Sequence, residues 1–326
     1  MSRPRRAVVL GAGGVLGASW TIGALQAITE VEGFDPHDAD VLVGTSAGSV
    51  LAALLGSGLT VADLLAHQRG MPLPHETGAA WSYDSSTGGA LPPRPRLGVG
   101  SPALLRRSVA HPRQLPPLAV LAALTPAGTG TLAEVGRMVS SVATQDGWLR
   151  RDGVYVVAMD YDSGRRVAFG RKGAPEATLD EAVMASCAIP GWYAPVSIGG
   201  RRYVDGGTLS STSVDLLAKD ELDEVYVLAP MASFVTDHPR PLAARLERRV
   251  RQQVTRRLVI EAQKVLRSGT SVTVLAPGPE DLEEIGANLM DPGRRLAVLD
   301  TSLRTSAEAL RHPRPDDIAS PARRDR

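Results

Sequence analysis

Three short stretches of this chain hold residue types that could do chemistry together. Residues 44–48 read Gly-Thr-Ser-Ala-Gly, a G-x-S-x-G match directly after the apolar run Val41-Leu42-Val43. On a strand-to-helix turn, the small residues Gly44 and Gly48 let the backbone take a strained angle that projects the Ser46 hydroxyl as a nucleophile. The Ala47 amide and the positive end of the following helix would then face a developing oxyanion. Taken alone, the same five residues also suit an ordinary helix start with Ser46 as its cap.

The second stretch, Gly11 to Gly17 (GAGGVLG), lies between a first apolar run and a helical pattern. Its glycines suggest a dinucleotide loop, but the spacing is G-x-G-G-x-x-G and no acidic residue ends the second strand, as that motif requires. No nucleotide cofactor is expected. At the carboxyl edge of one sheet, Gly13 and Gly14 could instead supply oxyanion amides beside Ser46.

A nucleophilic serine needs a proton acceptor. The late histidines, His238 and His312, both stand next to proline in loop-like sequence, and Ser46 arrives on the second strand, too early for an α/β-hydrolase triad. The third stretch, Tyr203-Val204-Asp205-Gly206-Gly207, offers a carboxylate at the end of a short strand, with two glycines that admit another backbone. Asp-Gly is also a common turn pair. An aspartate near its reference pKa is a weak base for an alcohol, so Asp205 would need desolvation to be effective.

Together, and in this order, GAGGVLG, GTSAG and VDGG resemble the patatin-like phospholipase family, the serine lipid acyl hydrolases with a Ser–Asp dyad. ASCAIPGWYAPV (Ala185–Val196) is similar to a family segment upstream of the dyad aspartate, and GANLMDP is like some bacterial members. The likeness covers residues 7–70 and 154–230. It implies Ser46 as nucleophile, Asp205 as base, and Gly13 and Gly14 in the oxyanion loop. It also implies a three-layer α/β/α fold with a mainly parallel central sheet, no metal and no catalytic histidine. Two departures stand out: Ala12 and Leu16 replace the first glycine and the basic residue of the usual loop, and Ser211 and Thr212 replace asparagines that often follow the aspartate. The missing basic residue weakens any claim to an anionic headgroup nearby.

The elements that must position these groups are legible in outline. Strands are expected at Ala7–Leu10, Val41–Val43, Val154–Met159, Glu224–Leu228 and Ser271–Leu275, with hairpins through Asp162-Ser163-Gly164 and Gly199-Gly200. Helices are expected from Ala18 to Val31, Ala47 to Leu55 and Leu242 to Leu266, after the capping box Thr178/Glu181, and from Asp291-Pro292 onward. Residues 7–28 carry no charge and follow three arginines, yet five glycines interrupt them, which favours a buried strand and helix over a signal or a membrane span. Ten of the 24 prolines fall in residues 71–130, which predicts an irregular insertion or lid. The whole reads as one domain over 1–312, followed by a disordered tail, 313–326.

A net charge of +1 gives no field that would draw nucleic acid, and the single Cys187 excludes an intrachain disulfide and suits a reducing, cytoplasmic setting. The arginines between Leu242 and Leu266 suit either a solvated helix face or contact with anionic lipid. Asp160 and Asp162 are spaced like metal ligands but fall in a turn. The expected partner is a lipid or other acyl ester, with peripheral membrane contact and the oligomeric state left open. A thioesterase or acyltransferase using the same dyad remains an alternative, as does a non-catalytic lipid- or partner-binding protein.

Overall fold

The computed structural model describes residues 3–73, 98–111, 115–234 and 242–312. Its spine is an eight-stranded sheet in the order β5-β6-β3-β2-β1-β7-β8, with β4 on the remaining edge of β3. The strands are β1 (Arg6–Leu10), β2 (Val41–Thr45), β3 (Val154–Asp160), β4 (Arg166–Phe169), β5 (Val196–Ile198), β6 (Arg201–Asp205), β7 (Glu224–Leu228) and β8 (Ser271–Leu275). Five of them, β3-β2-β1-β7-β8, pair in parallel, while β4, β5 and β6 join by antiparallel pairing. Both expected hairpins form.

The alternation of side chains along each strand divides the core into two layers. Val8, Leu10, Leu42 and Leu228 point to one face, where α1 (Gly14–Glu32), α2 (Ala47–Gly56), α3 (Val61–Gln68), α6 (Ala133–Ser140), α7 (Leu179–Cys187) and α10 (Arg295–Arg311) cover them. Ala7, Val9, Val43 and Val227 point to the other, against α8 (Leu242–Leu266). Apolar residues on both faces are what a parallel sheet with crossover helices requires. The three-layer α/β/α expectation therefore holds. The α8 stripe Val254, Leu258, Ala262 and Val265 is buried on its own sheet, so this helix is packed, with Arg249, Arg256 and Arg257 outermost and Arg251 buried.

Several expectations need correction. The first helix begins at Gly14, not Ala18, because Gly14 at φ 61° turns the chain straight from the glycine loop into the helix. Residues 98–111 and 115–130 are not wholly irregular: α4 (Pro102–Ala110) and α5 (Pro117–Leu124) each start with proline at the first helical position, where its missing N–H costs nothing. Proline density limited helix length there without preventing helices. Ser101 caps α4 and also donates to Asp162 Oδ1 at 2.8 Å, while the Tyr161 hydroxyl donates to the Ala122 carbonyl at 2.7 Å. The rest of the lid reading, and the 313–326 tail, fall on residues outside those described. Helices α3, α6 and α9 (Pro279–Ile285) were not foreseen; all are of eight residues or fewer, too short for a clear period. Asp291 caps a short 3-10 turn, Pro292–Arg294, that leads into α10. Among the described residues, no helix is long and apolar enough to cross a membrane.

Helix α2 can lie against β1 only because Gly48 lacks a side chain. A Cβ there would come within 2.5 Å of the Leu10 carbonyl carbon, whereas one at Gly17 would meet Pro230 at 3.3 Å. Gly48→Ala is expected to cost about 3 kcal/mol or to prevent folding, and Gly17→Ala about 1 kcal/mol or less. Urea midpoints of the two variants check this; equal losses contradict it.

Candidate active site

Strand pairing alone brings Ser46 to Asp205. Thr45, the last residue of β2, pairs with Val157, and Asp205, the last of β6, pairs with Ala158. Since β4 occupies one edge of β3 over Val156–Met159, β2 and β6 must share the other edge, running toward each other. Their ends meet. Ser46 and Asp205 are then neighbours across a strand junction, near enough for the serine side chain to lower the Asp205 carboxyl pKa against the effect of burial.

The elbow at Ser46 has the geometry its sequence suggested. Ser46 takes φ 55° and ψ −128°, a conformation that side chains rarely adopt. It stands at the N-cap position of α2 but makes no side-chain cap bond, so its hydroxyl is not taken up by capping the helix. Its amide donates to Ser186 Oγ at 2.8 Å, and Ser186 Oγ donates to the Val157 carbonyl at 2.6 Å, tying the elbow to β3. Ser49 donates to the Ser46 carbonyl through its amide, at 2.7 Å, and its hydroxyl, at 2.6 Å. Gly44 is required because a Cβ would stand 2.5 Å from the Gly48 carbonyl oxygen.

Asp205 is buried, 5% exposed, and its amide donates to the Ala188 carbonyl at 3.0 Å. Burial pushes its carboxyl up to about 6, against the opposing pull of hydrogen bonds from the Ser46 side chain and the Gly207 amide. The Gly207 N–H reaches Oδ1 at 2.7 Å. A side chain at Gly207 would crowd that oxygen and Ala12, and one at Gly206 would lie 2.5 Å from the Val157 carbonyl. The desolvation that the sequence reading required is thus present.

The expected oxyanion residues fall around the same point. Gly14 and Ala47 line a cavity of about 80 Å³ together with Ser46, and their amides lie in the first turns of α1 and α2, where no intrahelical acceptor exists. Gly13 caps α1 with its Cα against the Pro230 ring. The rest of the cavity wall is apolar, including Val15, Leu51, Leu132, Val135 and Met290. Cys187 belongs to it as a neutral thiol that burial keeps protonated, 3.8 Å from Ser49 Oγ. Among the described residues, no ionisable carboxylate or basic side chain lines this cavity.

Residues that sequence reasoning missed hold the loops in place. The Ala12 amide donates to the Ser211 carbonyl at 2.8 Å, and Ser210 Oγ donates to Glu261 on α8 at 2.8 Å. Arg251, also on α8, donates to the Pro230 carbonyl at 2.7 Å, and the Pro230 ring packs against the glycine loop. Glu261 and Arg251 carry no sequence signal, because both look like members of a solvated helix face. Asp160 and Asp162 prove to be turn formers: Asp160 Oδ1 accepts the Ser163 amide at 2.8 Å, and Asp162 pairs with Arg202. Among the described residues no acidic, histidine and cysteine side chains gather as a metal site. His312 ends α10, and His238 lies outside the described residues.

The family model described as "Patatin-like phospholipase" matches residues 8–218. No curated protein matches the chain. Among solved structures the chain is similar to VipD from Legionella pneumophila, at 12% identity and a TM-score of 0.39, covering 92% of this chain and 68% of that one. It is also similar to the type III effector ExoU, at 18% identity and a TM-score of 0.37, covering 94% of this chain and 53% of that one. Full-length ExoU in complex with SpcU, from the type III secretion system of Pseudomonas aeruginosa, gives 18% identity, a TM-score of 0.34, and coverage of 93% and 54%. This chain spans about half the length of ExoU. With a family match that runs from β1 past Asp205 to residue 218, the chain belongs to the patatin-like phospholipase family.

Proposed function

We propose that the protein is a serine acyl hydrolase that cleaves fatty-acyl esters of lipids, with Ser46 as nucleophile and Asp205 as general base. The observation that carries this reading is the strand junction that sets a strained, elbow-mounted serine beside a buried carboxylate whose pKa lies near 6. The carboxylate takes the hydroxyl proton as Ser46 Oγ attacks the acyl carbonyl. The oxyanion that forms is met by the amides of Gly13, Gly14 and Ala47. Collapse expels the alcohol, which receives the proton held on Asp205 and leaves an acyl-serine. Water then attacks that ester and gives its proton to Asp205, which passes it to the departing Ser46 Oγ as the fatty acid is released. The apolar wall beside Ser46 suits an acyl chain and offers nothing to a charged one.

Ser46→Ala is expected to abolish turnover of a medium-chain nitrophenyl ester and labelling by a fluorophosphonate probe. Asp205→Asn keeps the shape but cannot accept the proton, so its rate should fall roughly a hundred- to ten-thousand-fold. Replacing His238 and His312 together should change little. Circular dichroism confirms folding of each variant. An active Asp205→Asn with a dead histidine variant would overturn the dyad.

The pH dependence has a defined sign. A base must be ionised to act, and burial has raised the pKa of Asp205 to about 6. The value of kcat/KM should therefore be low at about pH 5, climb through pH 6, and level off above about pH 7. Initial rates on a non-ionising ester measure it. A profile already flat at pH 5 would mean that another group, or none, takes the proton.

A further inference from the structure

Residues 85–133 contain no Asp or Glu, yet they hold five arginines, in a chain whose acids and bases otherwise nearly balance. Within this stretch, α4 and α5 expose Val109 (77%), Leu121 (58%) and Leu124 (49%), and Val99 (49%) is exposed just before α4. These are four of the eight exposed large hydrophobic side chains among the described residues. Single exposed aliphatic residues are ordinary, but their concentration on one acid-free helix pair and the residues leading into it is not. Arg106 is exposed on α4 between these apolar positions, with Arg107 beside it.

The exposure does not come from a loosely held segment. Leu104, Ala119, Ala122 and Ala123 are buried against Met159, Tyr161 and Val204, so each helix has a packed inner face and an unpartnered outer one. The pair also adjoins the candidate active site. Helix α5 touches the turn Gly206–Thr208 immediately after Asp205. Beyond α5 the chain passes Gly191, hydrogen-bonds the Trp192 carbonyl through the Gly130 amide at 2.9 Å, and then supplies Leu132 and Val135 to the cavity wall.

We propose that the outer face of α4 and α5 is a docking surface for an anionic lipid bilayer. Its aliphatic side chains enter the acyl boundary, and its arginines meet anionic headgroups with no carboxylate in the stretch to oppose them. Such a face would hold the Ser46 cavity at the interface from which an acyl chain must be drawn. Helix α8, the other arginine-rich element, is the weaker candidate: Glu247 and Glu261 engage Arg248, Arg251 and Arg257.

The test is co-sedimentation with vesicles of phosphatidylcholine alone and of an equimolar mixture with phosphatidylglycerol, in a Ser46→Ala background. Binding is thereby read without hydrolysis, and the surface can stand or fall separately from the dyad. The chain should bind the mixed vesicles more tightly than the neutral ones, and less so as salt rises. Arg106→Gln and Arg107→Gln should each weaken binding roughly fivefold. Leu121→Glu with Leu124→Glu should weaken it roughly tenfold or more. With Ser46 restored, all of these variants should hydrolyse a soluble ester at the unaltered rate. If the leucine pair disturbs folding, the arginine variants still decide. The proposal is overturned if mixed vesicles are not preferred, or if the variants bind as before. It also fails if Arg249→Gln with Arg256→Gln on α8 carries the loss instead, or if light scattering shows that the leucine pair breaks a dimer.

Discussion

The structure depends on a single edge of β3. Two strands share it, β2 entering from one end and β6 from the other, and they stop at consecutive positions, Val157 and Ala158. A strand that ends leaves its last residue free to turn away from the ladder, and here two such residues stand face to face. The juxtaposition of Ser46 and Asp205 is the chemical result of that register. Moving β6 by one residue would turn Asp205 to the opposite face of the sheet, since side chains alternate along a strand. The small residues around the junction follow from it. Gly44, Gly48 and Gly206 each stand where a Cβ would collide with backbone, so they fix how closely the strand ends and α2 can approach.

Burial creates a conflict at this junction that the hydrogen bonds only partly relieve. Asp205 loses water, which favours its neutral form, while Ser46 and the Gly207 amide donate to the charged form. Desolvation wins. A fully stabilised carboxylate would be a poor base, and an isolated buried one would stay protonated at neutral pH. A value near 6 lies between these limits, ionised at neutral pH yet basic enough to take a proton. The same dryness keeps Cys187, the only thiol in the chain, a neutral part of the cavity wall.

Much of this was legible before the structure, for physical reasons that differ by element. β7, β8 and α8 lie where their apolar runs and amphipathic stripe place them, because each is long enough to show its period and is bounded by turn residues. Ser46 and Asp205 were visible because glycine pairs mark sites of close backbone approach. What sequence hid was whatever needs a partner distant in the chain. Ser186 fastens the elbow only because α7 packs beside Val157, and nothing in a lone serine near a helix end announces that. The register that joins β2 and β6 end to end was likewise invisible, since the two strands never pair with each other. Pro102 and Pro117 begin helices, so proline in this part of the chain marks where a helix starts and not where structure is irregular.

The least expected support comes from the far side of the sheet. Helix α8 lies on the face opposite the cavity, yet two of its buried charges fix the loops that frame Ser46. Arg251 holds the Pro230 carbonyl and thereby the ring on which the glycine loop rests. Glu261, with burial raising its pKa, holds Ser210, and the neighbouring Ser211 carbonyl holds the Ala12 amide. Burying charge costs stability unless every lone pair finds a donor, and Glu261 finds Ser210, Thr212 and Arg257. An apolar pair would pack at lower cost but could not orient a carbonyl. The positions where the family often carries asparagines are here Ser211 and Thr212, so the polar grip on this loop reaches it through a helix carboxylate and short hydroxyls. That arrangement aims the glycine-loop amides from behind and leaves the front of the loop free for a substrate.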